Sequence, residues 1–160
     1  MKRIEVNIQQ QKLWLKDEDL ILETFQVSTA KNGAGEINNS ECTPRGEHEV
    51  AEMIGADQEM NTVFVGRMLT GEIYTSELRK KCPQRDWILT RIIWLAGCEQ
   101  ERNQGGEVDT HARYIYIHGS PDDVVMGEPG SHGCVRMRNK DIIRLFDHVS
   151  VGMKVNILEF

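Results

Sequence analysis

The sequence predicts a mostly β domain, of sandwich or barrel type, with one helix in its C-terminal region. Three observations carry this. Apolar residues recur at every second position in several short runs, as in Ile4, Val6 and Ile8, which is the period of a strand with one buried face. Glycine, proline, asparagine and aspartate break those runs at short intervals, as hairpins and loops require. One stretch, after Asn139, carries apolar residues at helical spacing. With 160 residues, 39% of them hydrophobic, the chain suffices for a single domain over residues 1–160 with a substantial core.

Residues 3–8 form the first expected strand. Gln9, Gln10 and Gln11 turn the chain into a second, Lys12 to Leu15. Asp17, Glu18 and Asp19 make a solvated turn into a third, Leu20 to Val27, which completes an antiparallel meander. Residues 28–46 hold Gly33, Gly35, Pro44 and Gly46 and read as loop. Alternation returns from His48 to Ile54. Thr62 to Val65 and Glu72 to Thr75 are expected strands separated by Gly71. In the charged segment 77–86, Pro83 argues against a helix interior or a central strand. Trp87 to Ala96 is dense in β-branched and aromatic residues and stops at Gly97. It predicts a strand apolar on both faces, with a short buried helix as the alternative. Residues 99–112 are expected loop, Arg113 to His118 an alternating strand, and residues 119–131 loop again. Asn139 is placed to cap a helix running to about His148, with Ile142, Ile143, Phe146 and Val149 as its apolar stripe. Gly152 ends it, and Met153 to Leu158 closes the fold as a strand.

The formal net charge is −6, from 19 basic and 25 acidic residues, with no basic stripe. This argues against a nucleic acid or an anionic membrane as partner. No run approaches the roughly 18 apolar residues of a membrane span. Met1-Lys2-Arg3 leads into a strand pattern, not the apolar run of a signal peptide. A cytoplasmic location is therefore expected, and a periplasmic one if an export signal has been trimmed. Cys42, Cys82, Cys98 and Cys134 contain no Cys-x-x-Cys pair, and a reducing compartment would leave them as thiols. Nothing specifies an oligomeric state.

Chemistry concentrates between Tyr114 and Met137. An alternating strand delivers His118 to its end. A second segment, Ser131-His132-Gly133-Cys134-Val135-Arg136, delivers Cys134 in a glycine-rich, polar context. A thiol with an imidazole is the minimum equipment for cysteine acyl transfer. Backbone N–H groups around Gly133 and Cys134 can serve an oxyanion, and Arg136 can favour a thiolate or bind a carboxylate. Other readings compete. Cys134 would pack as a small hydrophobe in an apolar setting. Two histidines and a cysteine can bind zinc, but no fourth ligand is evident. A phosphate-binding Cys-x5-Arg loop would need arginine where the chain has Lys140. His48, His111 and His148 read as structural or surface residues. No metal or cofactor is called for.

His118-Gly119-Ser120, a gap, then Ser131-His132-Gly133-Cys134-Val135-Arg136-Met137 resembles the catalytic signature of L,D-transpeptidases, the YkuD-type domain. The similarity extends to the opening hairpin, to Thr43-Pro44-Arg45-Gly46, and to the helix and strand after Asn139. The resemblance implies that Cys134 is the nucleophile, His118 the acid and base, and Gly119 the residue whose carbonyl orients the imidazole. Ser131, His132, Gly133 and Arg136 match the remaining signature positions. Arg136, Ser131 and Ser120 are the expected substrate-binding side chains. The resemblance further implies peptidoglycan stem peptides or muropeptide fragments as partners. The attacked bond joins meso-diaminopimelate to D-Ala, and a thioester holds the acyl group. Water as acceptor makes an L,D-carboxypeptidase that trims recycled tetrapeptides, the leading expectation. An amine acceptor makes a periplasmic enzyme forming 3→3 cross-links, and a silent muropeptide sensor is the third reading. The family's nucleophile also implies sensitivity to carbapenems. Residues 55–112 depart from the family pattern, so the walls of the groove are not read from it.

Overall fold

Ile4 and Val6 are buried on one face of β1 (Lys2–Asn7), and Leu13 and Leu15 on β2 (Lys12–Asp17). In the computed structural model, which describes residues 1–160, these strands pair antiparallel with Ile4 opposite Leu15 and Val6 opposite Leu13. The apolar side chains therefore meet across the ladder. β3 (Leu20–Gln26) completes the meander and brings Phe25 opposite Leu13. It is a sheet edge, which leaves Leu20, Ile21 and Leu22 exposed.

β4 (Gly46–Ile54) follows the long loop. β5 (Thr62–Val65) and β6 (Met68–Ile73) then form a hairpin. Its second strand starts four residues before the expected Glu72, and Gly71 lies inside it. The turn is Gly66-Arg67, both with positive φ, the two-residue geometry that suits a twisted hairpin. Arginine is uncommon there, which hid the turn. A short helix, α1 (Ser76–Lys81), was not expected. Thr75 caps it by accepting the Leu78 N–H, and it ends at Cys82, one residue before Pro83. Proline thus ends this helix without preventing it.

β7 (Ile88–Gly97) is a strand, not the alternative buried helix, and it has three strand neighbours. Its register slips between Leu89 and Ile92, where Thr90 has φ of 75°. Bulges of this kind re-aim side chains beside functional sites. β8 (Tyr116–Ser120) starts later than the expected Arg113 and includes Gly119 and Ser120, which fall in the expected loop 119–131. Tyr114 at φ 58° breaks the strand on its N-terminal side. β9 (Val135–Arg138) pairs parallel with β8, and α2 (Asn139–Phe146) follows directly. Asn139 is not the cap: Arg138 takes that position without a side-chain cap bond. The Asn139 carboxamide instead turns inward to Thr90 Oγ1 and Asn61 Oδ1. β10 (Lys154–Leu158) inserts between β1, parallel, and β4, antiparallel.

The continuous sheet runs β3-β2-β1-β10-β4-β7-β5-β6, and β8 and β9 branch from β7. The main core gathers the inner faces of the meander, β8, β9, β10 and α2, including Ile117, Val135, Ile142 and Leu145. No helix is long and apolar enough to cross a membrane.

Candidate active site

Strand alternation builds the site. Ile115, Ile117, Val135 and Met137 are buried in the main core. The intervening residues Tyr116, His118, Cys134 and Arg136 therefore face the other way, and all four line one cavity of about 460 Å³. The parallel register sets His118 beside Arg136 and carries Cys134 to the level of Tyr116. Arg136 is fixed from its far side too: its backbone exchanges two hydrogen bonds with Ser28, 2.9 Å each.

His118 is fully enclosed, and its Nδ1 lies 2.6 Å from the Gly119 carbonyl. A carbonyl only accepts, so Nδ1 carries the proton and Nε2 is the basic atom of the neutral ring. Burial holds this imidazole below its ordinary pKa. Gly119 has no room for a side chain: a Cβ would lie 2.5 Å from Asn139 Oδ1 and 2.6 Å from the Leu89 carbonyl.

Cys134 is partly covered. Protein atoms crowd its sulfur, and that desolvation pushes the thiol up to about 12, against the opposing pull of the Tyr116 N–H. The Tyr116 N–H donates to Sγ at 3.3 Å, and the thiol donates to the Tyr114 carbonyl at 3.4 Å. The left-handed Tyr114 backbone presents that carbonyl. The resting pair is thus a neutral thiol and a neutral imidazole, with the sulfur held by the neighbouring β8 segment.

Ser131 shapes the turn before Cys134. Its hydroxyl donates to the Cys134 carbonyl at 2.5 Å and accepts the Gly133 N–H at 3.2 Å. Gly133 adopts φ of 135°, and a Cβ there would meet Ile115 Cδ1 at 3.0 Å. Thr43 Oγ1 donates to the Gly133 carbonyl at 2.9 Å, a role the sequence did not show. Since the Gly133 N–H is engaged, the N–H free of any protein acceptor at this turn that adjoins the sulfur is that of Cys134 itself. Ser120 was expected to touch substrate. It is buried, donates to the Met137 carbonyl at 2.8 Å, joining β8 to β9, and lines a side arm of the cavity. His132 is exposed and lines the central cavity and two side arms.

The walls come from segments with no recognisable motif. Arg67, from the β5–β6 turn, lies 4.8 Å from the rings of Trp94 and Tyr114 and donates to the Tyr116 hydroxyl at 3.0 Å. Arg113 is half-buried and donates only to neutral acceptors, among them the Cys42 carbonyl at 2.7 Å. Arg136 donates to Ser28 Oγ, and its Nε is buried without a partner. None of these three has a carboxylate partner. Arg45, Arg79, Arg85, Arg102, Arg138 and Arg144, away from the central cavity, are all ion-paired. Tyr116 alone was foreseeable, since it shares the parity of His118.

Of the other histidines, His48 is buried. Its Nδ1 donates to the Gly46 carbonyl and its Nε2 accepts from Thr110, both at 2.9 Å. His111 stacks on Trp94 at 3.9 Å, and His148 is exposed. All four cysteines are free thiols.

A family model described as the L,D-transpeptidase catalytic domain, YkuD, matches residues 1–157. Among curated proteins, the probable L,D-transpeptidase ErfK/SrfK of Salmonella typhimurium is 47% identical over 47 residues, 29% of this chain and 15% of that protein. The putative L,D-transpeptidase YkuD of Bacillus subtilis is 35% identical over 63 residues, 36% of this chain and 38% of that protein. Among solved structures, L,D-transpeptidase 3 of Mycobacterium tuberculosis with a faropenem-derived adduct superposes with a TM-score of 0.60. Its identity is 14%, and the match covers 99% of this chain and 60% of that one. The L,D-transpeptidase of Mycobacterium smegmatis gives 0.56 at 17% identity, covering 98% and 58%. The fold is thus shared throughout, while the matched segments are well short of those relatives' full length. With the family pattern matched over nearly its whole length, the chain belongs to the L,D-transpeptidase (YkuD) catalytic domain family.

Proposed function

We propose that this domain is a cysteine acyl transferase that opens the meso-diaminopimelate–D-Ala bond of peptidoglycan stem tetrapeptides. The observation that carries this is the meeting of Cys134 and His118 on one cavity, with the His118 Nε2 and the Cys134 N–H unclaimed by protein partners. The thiol proton passes to Nε2 as Sγ bonds to the carbonyl carbon. The Cys134 N–H supports the resulting oxyanion. Collapse breaks the C–N bond, and the imidazolium returns its proton to the departing D-Ala amine. Water or an amine, deprotonated by His118 in turn, releases the acyl group from the thioester. Water yields tripeptide, the L,D-carboxypeptidase outcome; a second stem yields a 3→3 link.

The electrostatics support a substrate of this type. A stem tetrapeptide bears carboxylates on its γ-linked D-Glu, its diaminopimelate head and its terminal D-Ala. The cavity offers three arginines, Arg67, Arg113 and Arg136, without acidic partners. The faropenem-derived adduct of the M. tuberculosis relative extends by analogy to a Cys134 that β-lactams acylate.

Mass spectrometry of the protein with a tetrapeptide, with and without a second stem, tests this. We expect loss of one D-Ala, a Cys134 adduct with a carbapenem, and neither in Cys134→Ala. His118→Ala should slow turnover by about 10²–10⁴-fold. Turnover surviving in Cys134→Ala would overturn the assignment. An inert protein with unlabelled Cys134 would leave the silent sensor.

A further inference from the structure

Asp86 is the only acidic side chain on the walls of the central cavity, and the only one on the adjoining arm of about 290 Å³. It lies two residues before β7, outside the Ser131–Met137 and His118–Ser120 motifs. No ion pair or hydrogen bond engages its carboxylate. The other charged groups of that arm are differently placed. Arg79 is paired with Asp123 and Arg85 with Glu72. Their neutralisation leaves Asp86, Arg136 and His132 to meet a ligand.

Asp86 and Arg136 line both cavities yet form no ion pair with each other. They are near enough for the carboxylate to act electrostatically on Arg136, His118 and Cys134. Asp86 is not the third member of a catalytic triad. The one N–H of the neutral His118 ring is already donated to Gly119, so no ring proton remains for a carboxylate to orient. An acid and a base held apart in one crevice suit a ligand that carries both charges. An ammonium donates to carboxylate, and a carboxylate accepts from guanidinium.

We propose that Asp86 is a specificity-determining residue that, with Arg136, recognises a zwitterionic amino-acid head at the end of the acyl donor's side chain. This rests on the stem-peptide reading above, in which diaminopimelate supplies such a head beside the attacked carbonyl. A lysine side chain offers the ammonium alone and satisfies only Asp86. An N-acylated head satisfies only Arg136.

The test uses two probes: L-Ala-γ-D-Glu-meso-diaminopimelyl-D-Ala, and the same peptide acetylated on its side-chain amine. kcat/KM is measured for both with the native protein and with Asp86→Asn. Binding of both is measured by calorimetry to Cys134→Ala, with and without Asp86→Asn. Asp86 is exposed and makes no side-chain bond, so the variant should fold. The native protein should prefer the free amine by about tenfold, the scale of a partly desolvated charge pair, and Asp86→Asn should bring the ratio near one. A native ratio near one, or an equal ratio in both proteins, overturns the proposal while any turnover keeps the acyl-transfer reading. Discrimination in binding without turnover of either peptide does the reverse. Failure of both peptides to bind overturns both.

Discussion

Cys134 and His118 share a cavity, yet the thiol hydrogen-bonds to Tyr114 and Tyr116 rather than to the imidazole. Desolvation explains the arrangement, since neither a thiolate nor an imidazolium is favoured in a crowded pocket. In the proposed reaction, substrate supplies what is lacking: a carbonyl that takes up the sulfur's charge as the proton leaves. A consequence is measurable in the free protein. An ordinary cysteine thiol ionises near pH 8.5, and its alkylation rate levels off above that. Cys134 is raised to about 12, so its alkylation by iodoacetamide should keep climbing through pH 9 and 10. A plateau below pH 9 would show that the resting sulfur is a thiolate and that the cavity is more polar than its walls imply.

Among the elements, the β5–β6 hairpin and the His48 strand carry separate consequences. The hairpin joins β7 through only two residue pairs, Val63 with Leu89 and Phe64 with Ile88. Its outer residues Val65, Met68 and Leu69 are exposed. What holds its tip over the cavity is Arg67 against Trp94, Tyr114 and Tyr116. Arg67→Ala should give severalfold faster amide exchange across residues 62–73 with no change in β1 or β10, because tip contacts govern local opening. Equal exchange in both proteins would mean that the ladder alone holds the hairpin. On β4, burial lowers His48 to about 4 from an ordinary 6.5. The folded state then binds fewer protons than the unfolded chain. Its contribution is complete above pH 6.5 and is lost as pH falls towards 4, amounting to about 3 kcal/mol at roughly 1.4 kcal/mol per pH unit. Urea unfolding between pH 6.5 and 5, above the range in which the carboxylates titrate, should lose less stability in His48→Gln than in the native protein. The lowered pKa of His118 keeps some slope in the variant. An unchanged slope would remove His48 from the account.

For the molecule as a whole, the last strand completes the sheet. β10 lies between β1 and β4, and Val155 and Ile157 are fully buried within the main core. Its parallel pairing with β1 joins the two ends of the chain, a contact of the highest sequence separation and one that slows folding. Removal of residues 153–160 should therefore abolish cooperative unfolding, followed by circular dichroism and amide dispersion, because it strips two core side chains and opens two strand edges. A truncated protein with native dispersion would show that the remaining sheet closes without β10.

Much of this was legible in the residues themselves. Period-two alternation marked the meander and the strand bearing His118, because burial on one face acts on each residue locally, and a dense β-branched and aromatic run marked β7, which is buried on both faces. The pair His118 and Cys134, with its glycine and serine neighbours, was legible because the chemistry needs those residue types at close spacing. Where local rules gave way, tertiary contacts prevailed. Asn139 reads as a cap by propensity, but buried Thr90 and half-buried Asn61 claim its carboxamide. Thr90 and Tyr114 accept left-handed backbones that no sequence rule would assign them. The sequence by itself determined the fold class and singled out the candidate pair that the fold brings to one cavity. Only the tertiary structure decided the surroundings of that pair: Arg67, Asp86 and Arg113 come from segments distant in the chain, and their common charge environment exists only once the sheet has closed.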